Sequence, residues 1–180
     1  MQIIRQPSFV RSPWKNGGGV THEIARDGSD PFGWRLSVAD VAVDGAFSLF
    51  PGYHRWLTVI EGHGMELVRP SGSLDADPGV PLHFAGDEKI FGRLKDGPCR
   101  DFNLIYDPLR FFCSMRRGNE QLRLAPDGRG LVGVLLVRGN GSTGQTQIET
   151  GDFVFIDKTN EVSVLTDTLT VAVEIMSRSP

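Results

Sequence analysis

The sequence predicts an all-β protein made of two small, closely packed barrels, and three observations carry that prediction. Gly (22) and Pro (11) punctuate the 180 residues every few positions, and the runs between them are short and rich in Val, Ile, Leu, Phe and Thr. Few windows show the 3.6-residue period of an amphipathic helix, so any helix is expected to be short and peripheral. A pattern of strand, glycine turn and strand also occurs twice along the chain.

Taken in order, the first strand expected is VTHEIAR (20–26), where Thr21 and Glu23 share a face. GWRLSVADV (33–41) follows, with Arg35 and Ser37 opposite Trp34, Leu36 and Val38. GAFSLF (45–50), WLTVIEG (56–62), GMELV (64–68) and LHFAG (82–86) come next, and around the second of these Arg55 alternates with Leu57 and Val59. DFNLIY (101–106) sets Asp101 and Asn103 opposite Phe102 and Leu104. The second half offers FFCSMRR (111–117), GLVGVLLVRG (130–139), QTQIET (145–150), DFVFID (152–157), EVSVLTD (161–167) and LTVAVEIMS (169–177).

The repeat pairs LTVIEGHGMEL (57–67) with GVLLVRGNGST (133–143), and PLHFAGDEKIF (81–91) with QIETGDFVFI (147–156). In both copies an apolar strand ends in x-G-x-G, and a Gly-Asp turn follows, at Gly86-Asp87 and at Gly151-Asp152. Glycine suits turns of positive φ, and Asp stabilises such turns through the backbone. The first copy carries PSGSLDADPGV (70–80), which reads as an inserted surface loop. The expected division is a first barrel with the N-terminal segment at 1–110 and a second at 111–180, packed as one unit. The x-G-x-G and GD arrangement resembles the cupin superfamily, and its duplication implies a bicupin.

Most cupin enzymes hold a divalent metal on two closely spaced histidines, a carboxylate and a third histidine. Here His22, His54, His63 and His83 all lie in the first half, no H-x-H pair occurs, and no histidine follows Gly86-Asp87 in EKIFGRLKDGPCRDFNL. Either His54 and Glu61 are neighbours in a degenerate site, or His54 and His63 occupy turn and strand-end positions in solvent. No metal and no cofactor are expected. Gly17-Gly18-Gly19 invites a phosphate cradle, but Lys15 precedes the glycines and a β-type run follows, so no helix N-terminus is offered to an anion. A formal charge of −3 without a basic-aromatic stripe gives no reason to expect nucleic acid. No apolar run approaches bilayer length, and no secretion signal opens the chain. Cys99 and Cys113 lack C-x-x-C spacing and read as reduced thiols in a cytoplasmic protein.

PWKNGGGVTHEIA (13–25) is similar to the N-terminal signature of the HutD/Ves family. WRLSVADVAVDGAFSLFPGYHRWLTVIEGHGMEL (34–67) and FAGDEKIFGRLKDGPCRDFNLI (84–105) resemble its next two blocks, so the likeness covers roughly 11–106 in order. The resemblance implies a bicupin without established catalytic activity, proposed to govern histidine utilisation by binding an intermediate such as N-formylglutamate or urocanate; Ves relatives are linked to stress or cold response instead. Polar residues on the strand faces and in the glycine loop then form the candidate ligand site: Asn16, Thr21, Glu23, Arg35, Ser37, Arg55, Asp101 and Asn103, with Lys15 either reaching inward or lying in solvent. Arginine grips a carboxylate through its planar fork, whereas the bland alternative is a structural ion pair of Arg35 or Arg55 with Glu23 or Asp101.

Three functions follow. The first is a metal-free binder of a small carboxylate metabolite. The second is a metal-independent isomerase or hydrolase using Glu23 or Asp101 as base, against which a neighbouring arginine counts, because it lowers a carboxylate pKa. The third is a scaffold that regulates a partner enzyme. A non-enzymatic role is favoured, with no membrane or nucleic-acid partner, and edge strands of such barrels suit pairing into a homodimer.

Overall fold

The structure, a computed structural model, describes residues 1–118, 130–156, 162–164 and 167–178. Parts of the expected strands 152–157 and 161–167 fall outside those residues. In chain order the strands are β1 (Gln2–Ile4), β2 (Val10–Pro13), β3 (Gly19–Arg26), β4 (Trp34–Val41), β5 (Gly45–Ala46), β6 (His54–Glu61), β7 (Met65–Arg69), β8 (Gly72–Ala76) and β9 (Leu82–Ala85). They continue as β10 (Phe91–Leu94), β11 (Cys99–Tyr106), β12 (Phe111–Gly118), β13 (Gly130–Arg138), β14 (Asn140–Thr143), β15 (Thr146–Glu149), β16 (Phe153–Ile156), β17 (Ser163–Val164) and β18 (Leu169–Ser177). One 3-10 turn, Gln6–Ser8, accompanies them, and the described residues contain no α-helix. The all-β class holds.

The chain divides into two compact units, Val10–Leu109 and Met1–Phe9 with Arg110–Pro180. The N-terminal segment was expected with the first barrel. Its strand β1 instead pairs antiparallel with β16, Ile3 opposite Val154, so Met1–Phe9 belongs to the second unit.

In the Val10–Leu109 unit a six-stranded sheet, β2-β3-β4-β11-β6-β9, and a four-stranded sheet, β5-β10-β7-β8, enclose the core. Ala39, Leu57 and Val59 of the larger sheet pack with Met65, Leu67 and Ala76 of the smaller. The other unit has a five-stranded sheet, β1-β16-β13-β18-β12, and a three-stranded sheet, β15-β14-β17. The run β4-β11-β6-β9 therefore has the same order as β12-β18-β13-β16, and β10-β7-β8 the same as β17-β14-β15.

The duplication extends to single hydrogen bonds. The β11–β6 ladder is bulged between Arg100 and Asp101, and the β18–β13 ladder is bulged at the matching place, between Leu136 and Arg138. Gly79 N–H donates to the Val59 carbonyl at 2.8 Å, and Gly151 N–H to the Leu136 carbonyl at 2.7 Å. Gly79, not Gly86, is thus the counterpart of Gly151, and the two Gly-Asp turns sit at different places in the repeat. The segment read as an inserted loop is also part of it: β8 pairs with β7 as β15 pairs with β14.

Candidate functional site

The register makes some interior contacts equivalent and their chemistry opposite. Arg55 lies opposite Phe84, and Val132 lies opposite Ile156 in the corresponding ladder. Asp101 and Asn103 on β11 correspond through the shared bulge to Thr170 and Ala172 on β18. Among the described residues of the second interior, Val132, Val134, Leu136, Ile148, Val154 and Ala172 form an aliphatic core cluster. The first keeps a cavity of about 520 Å³.

That cavity opens under the loop 14–18. Trp14 N–H donates to the Gly19 carbonyl at 2.9 Å, Gly17 N–H to the Trp14 carbonyl at 3.0 Å, and the Trp14 indole N–H to Thr21 Oγ1 at 2.8 Å. Asn16 Oδ1 accepts from Gly18 N–H at 3.0 Å. Gly19 lies so close to the Trp14 ring that a Cβ there would meet it at 2.9 Å. The glycine run thus folds the loop back on β3, which sets Lys15 and Asn16 at the cavity mouth.

Of the eight residues expected from sequence, seven line the cavity: Asn16, Thr21, Arg35, Ser37, Arg55, Asp101 and Asn103. Glu23 does not. Its ladder position opposite Ser37 is the expected one, but its carboxylate lies 3.6 Å from Arg26 Nε. The aromatic side chains Phe47 and Phe50, together with Ser48, also line the cavity and were not anticipated. They sit beyond the short strand β5, in GAFSLF, where no alternation marks an inward side chain; the only available signal was two phenylalanines beside turn residues.

At the base of the cavity Arg55 is 8% exposed and Asp101 2%. Arg55 Nη2 donates to Asn103 Oδ1 at 2.7 Å, and Asn103 Nδ2 donates in turn to Asp101 Oδ1. The Arg55 guanidinium carbon lies 5.0 Å from the Phe47 ring centre, 5.3 Å from Phe84 and 5.7 Å from Phe50, within cation–π range. The Arg35 guanidinium carbon lies 5.3 Å from the same Phe50 ring centre and 5.4 Å from that of Phe32. Nε of both arginines is buried without a hydrogen-bond partner.

Burial lowers the Arg55 pKa to about 10, against the opposing pull of Asp101, so Arg55 stays a cation near neutrality. Burial likewise lowers that of Arg35, against Glu23. Burial pushes the Asp101 carboxyl up to about 7, overriding both Arg55 and the Asn103 hydrogen bond, which favour its charged form. The neighbouring arginine lowers this carboxyl as expected, but desolvation is the larger effect and leaves the pKa raised.

A divalent metal does not fit these donors. The cavity lining has one carboxylate, no histidine and two arginine cations, which would repel a metal ion. Among the described residues no three His, Cys, Asp or Glu side chains come together as a metal site. His54 and Glu61 are the first and last residues of β6, so they are not neighbours. His54 instead lies beside His83, ring centres 5.1 Å apart, and His83 Nε2 is 3.0 Å from the Tyr106 hydroxyl. Cys99 and Cys113 are buried thiols outside any disulfide, and burial raises both pKa values, that of Cys99 to about 12. No helix among the described residues is long and apolar enough to cross a membrane.

The two-sheet units place the chain among cupin-type β folds. A cupin 2 conserved barrel domain protein from Leptotrichia buccalis superposes with a TM-score of 0.62 at 11% identity, over 98% of this chain and 96% of that one. Within that class the family is specific: the HutD family model matches residues 6–173, and the chain belongs to the HutD family. HutD from Pseudomonas fluorescens SBW25 (formate condition) is 35% identical, with a TM-score of 0.87 over 99% of both chains. A conserved protein of unknown function from Pseudomonas aeruginosa PAO1 is 34% identical, with a TM-score of 0.84 over 98% of both. An uncharacterised 21.2 kDa protein in the hutC 3′ region of Pseudomonas putida is 46% identical over 120 residues, which are 62% of this chain and 60% of that relative's length.

Proposed function

We propose that the chain binds a small carboxylate metabolite in the cavity of its Val10–Leu109 unit and acts, without turnover, as a regulator of histidine utilisation. One observation carries the reading: Arg55 is a buried cation, held among phenyl rings, whose Nε has no partner. A buried charged donor left short of acceptors is costly, and an entering carboxylate supplies them. Arg35, near the same Phe50 ring, is placed to share the same anion. Asn103, Ser37 and Thr21 add hydrogen-bonding edges, and Phe47 and Phe50 favour a ligand with an apolar or planar body. The family context points to N-formylglutamate or urocanate as candidates.

A thermal-shift screen with EDTA present, against histidine, urocanate, formiminoglutamate, N-formylglutamate, glutamate and formate, tests this. Binding at a hundredfold excess over Kd stabilises by about 2.7 kcal/mol. A shift for one carboxylate that Arg35→Ala abolishes is the expected result. No shift for any of them would remove the reading and favour the scaffold alternative.

A second reading has one observation in its favour. A carboxyl with a pKa of about 7 in a cavity is suited to general-base work, which makes Asp101 the candidate base of a metal-independent isomerase or hydrolase. NMR of a bound ligand over a day separates the two: an unchanged spectrum supports the binder, and a new product supports the enzyme.

A further inference from the structure

The two buried charges of the cavity do not touch each other directly in the hydrogen-bond chain that joins them. Arg55 bonds to Asn103, and Asn103 to Asp101. An ionised Asp101 is thus offset only by the field of Arg55 and the Asn103 amide, against the larger effect of burial, in a site walled by Phe47 and Ile105 where it is 2% exposed. A ligand carboxylate on Arg55 would bring a second negative charge into the same space. Arg35 already lies in the field of Glu23, and Lys15 stands exposed at the mouth. Two carboxylates confined together in a poorly solvated site do not both stay ionised.

We propose that the cavity takes up one proton with each carboxylate it binds, and that Asp101 holds it, facing the ligand as a neutral hydrogen-bond donor rather than as a competing anion. This rests on the carboxylate-binding reading above. The proton comes from solvent and goes to a carboxylate oxygen of Asp101; no covalent bond of the ligand changes. Around Asp101, Arg55 on β6 and the Asn103 hydrogen bond favour the ionised form, and Arg35 on β4 and Lys15 in the loop line the same cavity. Asp40, on β4, disfavours the ionised form, and Cys99 on β11 stays a neutral thiol. Burial already raises Asp101 to about 7 in the empty cavity, so near neutrality the proton is bound at little cost, and a ligand anion acts in the same sense.

Asp101 then determines specificity as well. As a donor it gives its O–H to a carboxylate or carbonyl oxygen of the ligand, and it discriminates against a ligand that offers only N–H groups to the base of the cavity.

Calorimetric titration of the full chain with formate and with N-formylglutamate tests the proposal, in buffers of different ionisation enthalpy from about pH 6 to about pH 8.5. Uptake of close to one proton is expected above about pH 7, with Kd rising about tenfold per pH unit there. Asp101→Asn keeps an N–H donor at the position, so its Kd is expected to stay flat with pH and its proton uptake to vanish. Binding by the unmodified chain with a pH-independent Kd and no buffer dependence of the heat would overturn the proposal while leaving the carboxylate site intact. Absence of binding at every pH would overturn the carboxylate reading itself, and this inference with it.

Discussion

Arg55 and Asp101 show how burial, more than pairing, sets the chemistry of single residues here. Each is pushed toward its neutral form by desolvation, and each is only partly rescued by the other through Asn103. For Asp101 the sign of the linkage is definite. Its pKa is raised in the folded chain above an unfolded value near 4, so between about pH 4 and about pH 7 the folded state holds a proton that the unfolded state has lost. Stability from this group is complete below that window and falls as pH rises through it, by at most about 1.4 kcal/mol per pH unit. Urea unfolding at a series of pH values should show that decline in the unmodified chain and a flatter profile for Asp101→Asn; equal slopes would mean that Asp101 is not the group responsible. Much of this site was legible from alternation alone, because Arg35, Ser37, Arg55, Asp101 and Asn103 sit on regular strand stretches where every second side chain faces inward. Glu23 keeps the alternation, opposite Ser37, yet does not line the cavity; its carboxylate lies near Arg26, and alternation alone does not reveal such a side-chain contact. The balance between burial and the Arg55 charge was not legible either, since it depends on how completely the site is dried.

At the scale of the strand, glycines shape both units by making room for rings. On β10, a Cβ on Gly92 would meet the Phe47 ring at 2.8 Å, so that glycine lets Phe47 lie where it stacks on Arg55. Gly92→Ala should therefore push Phe47 into the cavity and weaken carboxylate binding several-fold, with a stability loss of about 1–3 kcal/mol; ligand titration alongside urea melts checks both. In β13, Gly133 lies under the fully buried Phe153 ring, with no space for a methyl group. Gly133→Ala is expected to destabilise by a similar amount without altering the ligand site, and a variant as stable as the parent would contradict the packing seen there. The strands themselves were largely readable from β-branched and aromatic runs between glycines. The repeat was harder, because Gly-Asp occurs at two inequivalent turns and only the hydrogen bonds of Gly79 and Gly151 reveal which positions correspond. β8 was hidden for a related reason: its sequence, GSLDA, is mostly exposed and polar, so its strand character comes from pairing with β7 and not from its own composition.

For the whole chain, a duplicated architecture has diverged into one receptive interior and one filled interior. Where β6 and β11 present Arg55, Asp101 and Asn103, the matching positions of β13 and β18 present Val132, Thr170 and Ala172, and aliphatic side chains occupy the space. The second unit has its own aliphatic core, while the buried guanidinium of Arg55 and the carboxyl and amide of Asp101 and Asn103 lie in the first. The same divergence makes the functional reading quantitative, because it allows one ligand per chain and not two. The measurement that tests it most directly is the stoichiometry of N-formylglutamate or urocanate binding by calorimetric titration, on the unmodified chain and on Arg35→Ala. The account predicts saturation at one ligand per chain with binding lost or greatly weakened in the variant. Two equivalent sites, or one site indifferent to Arg35, would contradict it.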